Sequence, residues 1–184
     1  MTDPRVIGLD LSLTGAGISN GQWCQTIRST GRKDATLPDR VNRLRTLTAG
    51  VLEYTTGAHL VVIEGPSLHS IQGHVWDRAG LWWRIVHRLV SDGVPVVEVA
   101  PKSRAKYATG TGNASKDEVL LAAARRWPAC PIANNNEADA CVLAAMGLDW
   151  LGYPLAPMPA THRAALDRVA WPDNLTGTGG TVGA

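Results

Sequence analysis

The chain contains no phenylalanine, only three cysteines and almost no excess of either charge, with a formal net charge of +2 over 184 residues. A near-neutral total gives no electrostatic indication of nucleic-acid binding, although a local basic surface can coexist with it. The composition, 45% hydrophobic and 18% charged, excludes an intrinsically disordered chain. The length predicts one domain with a hydrophobic core and excludes two complete ones.

Metal-ligand and disulfide motifs are also lacking. Cys24, Cys130 and Cys141 are odd in number, and no two of them have the spacing of paired metal ligands. We therefore predict neither a cysteine-ligated metal site nor a disulfide framework. The histidines show no HxxxH spacing, so we predict that they do not bind metal. They are His59, His69, His74, His87 and His162.

Long apolar runs are absent as well. The N-terminal sequence MTDPRVIGLD has an apolar run of only a few residues, so neither a signal peptide nor a membrane span is predicted. We expect no membrane partner. Since no disulfide framework is indicated, a reducing cytoplasm is the expected location.

Apolar patterns divide the chain into short strands and amphipathic helices. Strands are predicted at residues 5–10, 16–20, 22–28, 60–64 and 94–99, with Asn20-Gly21 forming a hairpin turn. Helical spacing predicts helices at about residues 37–52, 72–92, 115–127 and 135–148. Three strands joined by tight turns, followed by strand–helix alternation, predict an α/β fold with a mixed sheet flanked by helices. This layout resembles the RNase H-like fold, which implies a five-stranded sheet of order 3-2-1-4-5.

These elements all lie within residues 1–153, which we predict to form one domain. The C-terminal extension, residues 154–184, has a different character. It contains a short amphipathic segment at residues 162–169 and then a Gly/Thr-rich end, so we expect it to be partly mobile.

The helix predicted at residues 72–92 is apolar over an unusually wide arc. One stripe is suited to packing on the sheet of its own chain, and a neighbouring stripe contains Trp76, Gly80 and Trp83. An arc of this width indicates two packing partners. The second partner is either another subunit, with Gly80 allowing close approach, or another part of the same chain.

Three acidic residues stand where apolar segments end. Asp10 ends the first strand, Glu64 ends the fourth, and Asp139 lies in the first turns of the last helix. An unpaired buried carboxylate costs several kcal/mol, so each of these acids needs a partner. Parallel neighbouring strands would bring Asp10 and Glu64 to the same sheet edge. A divalent cation shared by all three is one solution, and oxygen ligands suit Mg²⁺ or Mn²⁺.

Each acid also has a purely structural explanation. Asp10 could accept backbone hydrogen bonds from the turn that follows it, and Glu64 could pair with an arginine. Glu137, three residues after Asn134, could complete the N-terminal cap of the last helix. Three acids at matching element ends nevertheless favour a shared site.

The same segments resemble the motifs of RuvC-like Holliday-junction resolvases in chain order. Ile7-Gly8-Leu9-Asp10 and Val62-Ile63-Glu64 resemble the first two motifs, and Glu98-Val99-Ala100-Pro101 resembles the fifth strand and its exit. Residues 110–116 resemble the Gly-rich, Lys-bearing loop, and residues 137–140 the last acidic motif. The resemblance covers about residues 5–147. It implies a metal-dependent endodeoxyribonuclease that acts on four-way junctions in DNA recombination and repair.

One position departs from the family pattern. The family usually places an acid or a histidine three residues before the last aspartate, where this chain has Asn136. Positions three apart share a helix face, whereas Glu137 and Asp139 point about 200° apart. Asn136 is therefore the predicted fourth ligand, and Glu137 replaces it only if the helix starts later.

The resemblance implies two metal ions per active site, Mg²⁺ or Mn²⁺, that activate water and stabilise the leaving oxygen. Asp10 would bridge both ions, Glu64 would bind one, and Asp139 with Asn136 the other. Lys116 is also predicted to be catalytic, because it opens a helix after a Gly-rich loop that is suited to holding phosphate. Its alternative is a solvated surface lysine.

Further residues are predicted to contact DNA. The basic residues after the fifth strand suit a phosphate backbone, although such a run is often only a solvated loop. In the resembled family the loop after Glu64 probes the junction centre, which implies that Leu68 is an apolar wedge assisted by His69. The predicted DNA contacts are Leu68, His69, Lys102, Arg104, Lys106, Gly112, Asn113, Ser115 and Lys116.

Other functions fit parts of the pattern. A nuclease of broader branched or flap specificity uses the same residues, and a catalytically silent nucleic-acid-binding protein is favoured by Asn136. The segment from Asp10 to Gly17 also suits the phosphate loop of actin-like or sugar-kinase ATPases. Those enzymes need two such lobes and this chain has room for one, so no nucleotide cofactor is expected. A four-way junction has two-fold symmetry, so we expect a homodimer.

Overall fold

The computed structural model describes residues 3–66 and 74–175. Its strands are β1 (Val6–Asp10), β2 (Gly15–Ser19), β3 (Cys24–Arg28), β4 (Leu60–Glu64) and β5 (Val96–Val99). Its helices are α1 (Leu37–Thr55), α2 (Val75–Ser91), α3 (Pro101–Thr109), α4 (Lys116–Arg126), α5 (Asn135–Trp150) and α6 (Ala160–Arg163). Among these described residues, no helix is both long and apolar enough to cross a bilayer.

The five strands form one mixed sheet of order β3-β2-β1-β4-β5. β1 pairs antiparallel with β2 and parallel with β4, and β4 pairs parallel with β5. The predicted fold class and strand order are confirmed. Chain connectivity explains the strand directions, because tight turns join β1, β2 and β3 as antiparallel neighbours, whereas helices carry the chain back so that β4 and β5 run parallel to β1.

Successive side chains of a strand point to opposite faces of the sheet, and each face is covered by its own hydrophobic core. Ile7, Leu9 and Ile63 face α1 and α2, whereas Val6 and Val62 face the layer that contains α3, α4 and α5. Both faces of the central strands are therefore buried, as expected of strands with nearly continuous apolar sequence.

α5 packs across the sheet at unusually short range. A Cβ added to Gly8 would lie 2.0 Å from the carbonyl oxygen of Ala140, and one added to Gly17 would lie 2.1 Å from that of Asn136. Only glycine leaves room for a helix backbone at these two strand positions. The close approach brings the N-terminal half of α5 directly over β1 and β2.

Helix α3 was not predicted. α3 occupies residues that sequence patterns assigned to a basic loop after β5. It begins at Pro101, which is favourable in the first turn of a helix, and ends at Gly110 in the left-handed conformation. Its buried face includes the polar residues Ser103 and Arg104, so the apolar periodicity that identifies a helix is weak.

The first part of the C-terminal extension packs against the domain. Leu155, Met158 and Val169 contact the core on the α5 side of the sheet. Trp171 stacks on Trp150 with ring centroids 4.8 Å apart, and its Nε1 donates to the carbonyl of Leu166. Residues 176–184, where a mobile end is predicted, lie outside the described residues, as do Leu68 and His69.

Candidate active site

The parallel pairing of β1 with β4 places two acidic residues side by side. Gly8 pairs with Val62 and Leu9 pairs with Ile63, so Asp10 and Glu64 occupy the next position on two parallel neighbours. Since side chains two apart share a face, Asp10 lies on the same face as Gly8, which is the face that α5 covers. Both acids are only partly exposed.

α5 brings the third acid to this edge. Asp139 precedes Ala140, whose carbonyl lies over Gly8, and only 2% of Asp139 is exposed. The Asn134 side chain caps the helix by accepting a hydrogen bond from the backbone N–H of Glu137. The predicted meeting of Asp10, Glu64 and Asp139 is reflected in their electrostatics, because Glu64 and Asp139 both raise the pKa of Asp10.

A buried arginine joins two of these carboxylates. Arg104 Nε donates to Glu64 Oε2 at 2.8 Å, and Arg104 Nη1 donates to Asp139 Oδ1. Its side chain is only 7% exposed. We predicted Arg104 to lie in a loop that contacts DNA. In the structure it lies on α3, and its side chain points toward the acidic residues. Sequence patterns missed this role because the partners are 40 and 35 residues away.

One guanidinium does not balance three buried carboxylates. Burial and the charges of Glu64 and Asp139 together raise the pKa of Asp10 to about 8, although the charges of Arg104 and Lys116 oppose the rise. Burial likewise raises the pKa of Asp139 to about 6, although Arg104 opposes the rise. The cluster thus favours either a proton or additional positive charge.

The donor set fits a hard divalent cation in type and charge. Three carboxylates at strand and helix ends supply oxygen ligands, and burial together with the charges of Glu64 and Asp139 raises the pKa of Asp10. The three are not closely gathered, however. Within the described part of the chain, one set of three His, Cys, Asp or Glu side chains has ligand atoms that all lie within 4.8 Å of one another. This set consists of three thiols and not of these carboxylates. Arg104 stands between Glu64 and Asp139.

Asn136 and Glu137 point to different partners. Asn136 lies against Gly17, which pairs with Asp10 in the sheet, and its Nδ2 donates to the carbonyl of Gly15 at 2.6 Å. Glu137 accepts hydrogen bonds from Thr26 Oγ1 and from the backbone N–H of Ala133. Of the two, Asn136 is therefore the residue beside Asp10, and the carboxylate of Glu137 is engaged in capping.

Lys116 opens α4 and is exposed, and its charge lowers the pKa of both Asp10 and Asp139. The capping box of α4 uses the backbone N–H of Ser115, which donates to Glu118 Oε2 at 2.6 Å. That N–H is therefore not available to phosphate, contrary to a simple phosphate-loop interpretation. The remaining basic charge near the site is carried by Lys116 and the side chains of α3.

The loop before α4 passes close to α3. A Cβ on Gly112 would lie 3.1 Å from the carbonyl of Lys102, so glycine permits the approach. Lys102 and Asn113 are exposed, and Lys106 is partly exposed. Lys102 on α3, Asn113 on the loop and Lys116 on α4 are thus accessible polar residues, here called the rim, and of these Lys116 acts on the acids electrostatically. Such residues suit a phosphate backbone.

The predicted dimer residues separate into two groups. Trp76 and Trp83 on α2 are 85% and 63% exposed. Gly80 instead faces its own chain, since a Cβ there would lie 3.6 Å from Leu44 of α1. Gly80 therefore adjoins α1 of its own chain, and its role as the close-approach point of a second subunit stays a prediction.

Comparison with solved structures identifies the same fold elsewhere. The structure of Thermus thermophilus RuvC has a TM-score of 0.59 and 18% identity, covering 80% of this chain and 96% of that protein. T. thermophilus RuvC in complex with Holliday junction substrate has a TM-score of 0.58 and 16% sequence identity, with the same coverage of both chains. The yeast mitochondrial Holliday junction resolvase Ydc2 has a TM-score of 0.52 and 11% sequence identity, and the match covers 90% of this chain and 81% of that one. The chain thus has the RuvC-like form of the RNase H-like fold.

Comparison by sequence gives no match. No family model matches the chain, and no curated protein sequence matches it either.

Proposed function

We propose that this protein is an endodeoxyribonuclease that resolves four-way DNA junctions by metal-dependent phosphodiester hydrolysis. The observation that carries the proposal is the convergence of Asp10, Glu64 and Asp139 on one face of the sheet edge, with their mutual charges acting on the pKa of Asp10. The shared fold with two junction resolvases supports the choice of substrate. An acidic cluster of this kind has little structural benefit of its own.

Mg²⁺ or Mn²⁺ would be held by Asp10, Glu64 and Asp139, with the amide oxygen of Asn136 as a further donor. When bound, such ions supply an activated water and stabilise the leaving oxygen. Arg104 orients the Glu64 and Asp139 carboxylates through its two hydrogen bonds. Asp10 holds a proton near neutral pH in the metal-free fold, and it releases that proton when positive charge enters the site.

Lys116 and the rim beside it would bind the DNA backbone. Lys116 is exposed yet close enough to affect both Asp10 and Asp139 electrostatically, so it can contact a phosphate placed over the acids. Lys102 and Asn113 extend the rim along the neighbouring loop and helix. Such contacts position a duplex without reading its sequence.

The decisive experiment uses synthetic four-way junctions, flaps and linear duplexes, each incubated with Mg²⁺ and with Mn²⁺. We expect preferential cutting of the four-way junction. Asp10→Asn should abolish cutting and leave junction binding intact, because binding rests mainly on phosphate contacts. Unchanged cleavage by Asp10→Asn would overturn the metal site, and equal cutting of flaps would indicate a broader branched-DNA nuclease.

A second candidate is a catalytically silent junction-binding protein of the same fold. Two observations favour it: Arg104 already neutralises part of the acidic cluster, and Asn136 donates to Gly15 instead of adding charge. The same assay separates the candidates, since this one predicts binding of the four-way junction with no product in either metal.

We further propose that the enzyme works as a homodimer that uses the exposed face of α2. Resolution requires two symmetric nicks, and one site per chain then calls for two chains. Trp76 and Trp83 are seven residues apart and share a helix face, and exposed aromatic residues of this kind dominate protein interfaces. Leu37 and Val41 of neighbouring α1 are exposed as well.

Sedimentation tests the dimer directly. Trp76→Glu should convert the dimer to a folded monomer and replace paired cuts by single nicks, because the exposed ring makes no contribution to the core. Leu121→Glu is the matched control, since Leu121 is an exposed apolar residue on α4, away from α2. A wild-type chain that sediments as a monomer at micromolar concentration and still resolves junctions would contradict the proposal.

A further inference from the structure

The three cysteines, which are scattered in the sequence, meet in the folded chain. Cys24 begins β3, Cys130 lies in the loop after α4, and Cys141 lies within α5. One Sγ atom from each lies within 4.8 Å of the other two, and Cys24 Sγ is 2.9 Å from Cys130 Sγ. Cys130 and Cys141 are buried, whereas Cys24 is partly accessible.

A fourth polar atom adjoins the thiols. Ser19 Oγ lies 3.4 Å from Cys24 Sγ and 3.9 Å from Cys130 Sγ. This hydroxyl donates to the carbonyl of Trp23 and accepts from the N–H of Gly21, so its position is fixed by the β2–β3 turn. Cys24 Sγ also lies 3.7 Å from the carbonyl oxygen of Glu137, one turn before Cys141 on α5.

We propose that Cys24, Cys130 and Cys141 form a site for one thiophilic divalent cation of the Zn²⁺ class, distinct from the acidic cluster. Tetrahedral Zn–S bonds of about 2.3 Å place sulfur atoms about 3.8 Å apart, which the present cluster reaches by shifts of about 1 Å. Ser19 Oγ or a water that enters beside Cys24 completes the coordination. Binding releases the thiol protons to solvent, as for any thiolate-ligated metal.

Three thiols in mutual contact favour a cation over a disulfide. A disulfide joins two sulfur atoms and leaves the third as a buried thiol, whereas a cation uses all three at once. The three residues also come from three separate elements, and a cation would tie the edge strand β3, the loop after α4 and helix α5 together. Cys141 and Asp139 are two residues apart on α5 and therefore point about 200° apart, so the thiol site and the acidic site face different sides of the helix.

The test is titration of the reduced, metal-free full-length chain with Co²⁺ and then Zn²⁺. Co²⁺ should give a thiolate-to-metal charge-transfer band in the ultraviolet that saturates at one ion per chain and disappears when Zn²⁺ displaces the cobalt. Oxygen ligands do not give this band, so Asp10→Asn should retain it. Zn²⁺ should also protect all three thiols from a disulfide reagent and raise the melting temperature by about 5–10 °C at one hundred times Kd.

Cys24→Ser is the decisive variant because Cys24 is the most accessible of the three, and its fold can be checked by circular dichroism without metal. It should lose the charge-transfer band and most of the Zn²⁺-induced rise in melting temperature. Absence of the band in the reduced wild type would overturn the site, and so would a band of equal strength in Cys24→Ser. Failure of this experiment would leave the nuclease proposal unaffected, since that proposal uses none of these thiols.

Discussion

Replacing Asp10 by asparagine should stabilise the metal-free protein while abolishing its activity. Asp10 lies at the sheet edge near Glu64 and Asp139, and burial first, then the charges of these two carboxylates, raise its pKa to about 8. In an unfolded chain this carboxyl group has its ordinary pKa of 3.8. Between these values the folded state holds a proton that the unfolded state has lost, so stability falls as pH rises through this window.

The magnitude follows from the same interval. A span of about four pH units, at 1.36 kcal/mol per unit, gives a ceiling of roughly 5 kcal/mol. Rearrangement of Arg104 and shared protons within the cluster reduce this, so we expect about 2–4 kcal/mol of stabilisation of Asp10→Asn at about pH 8.5. At about pH 5, where the unfolded group is already ionised, roughly a third of that stabilisation should remain.

Urea unfolding in the presence of EDTA measures the effect. Asp34→Asn is the matched control, because the Asp34 side chain is 82% exposed, and this variant should follow the wild type at both pH values. Adding Mg²⁺ should stabilise the wild type more than Asp10→Asn, since binding energy adds to the stability of the folded state. Equal stability of the wild type and Asp10→Asn at about pH 8.5 without metal would refute the reasoning.

Three further substitutions test the packing and charge of the fold. Gly8→Ala should cost at least about 3 kcal/mol in urea unfolding because its Cβ would meet a helix carbonyl at 2.0 Å, whereas Gly80→Ala should be neutral or stabilise by up to about 1 kcal/mol. If the two variants are equally stable, the close packing of α5 is wrong. Asn136→Asp should destabilise the metal-free chain by about 1–3 kcal/mol, because it replaces an amide donor that faces the Gly15 carbonyl. It should also increase the rise in melting temperature on adding Mg²⁺, and a smaller rise than in the wild type would argue against a ligand role. Asp77→Asn should lower the melting temperature at neutral pH and flatten its decline in acid, because the hydrogen bonds from Arg40 lower the pKa of Asp77 and stabilise the fold only above its unfolded pKa; an acid decline as steep as that of wild type would contradict this.

Much of the fold is predictable because its determinants are local. The apolar runs from Val6 to Asp10 and from Leu60 to Glu64 indicate two strands. The short and long connections between strands limit which of them can be neighbours. The ends of these strands carry the acids, so their meeting at one edge follows from the strand order. The capping residues Thr36 and Ser115 likewise mark helix starts that the structure contains.

Helix α3 marks the limit of such local reasoning. Its buried face includes Ser103 and Arg104 beside apolar residues, and Arg104 needs no exposure to water because it has carboxylate partners on β4 and α5. Periodicity reflects burial of apolar side chains, so a buried, paired arginine appears as part of an exposed basic segment. No residue within its own helix indicates these partners.

Short-range periodicity and connection length are enough to predict the strands and the acids that end them, and the resemblance of the layout to a known fold adds the strand order. The identity of the cations and thiols that adjoin one another depends instead on how the layers pack. Arg104 reaches the acids across 35 and 40 residues, and Cys24 meets Cys130 across 106. Such contacts depend on the distance at which α5 packs over glycines of the sheet, and that distance is a property of the assembled layers and not of any one segment.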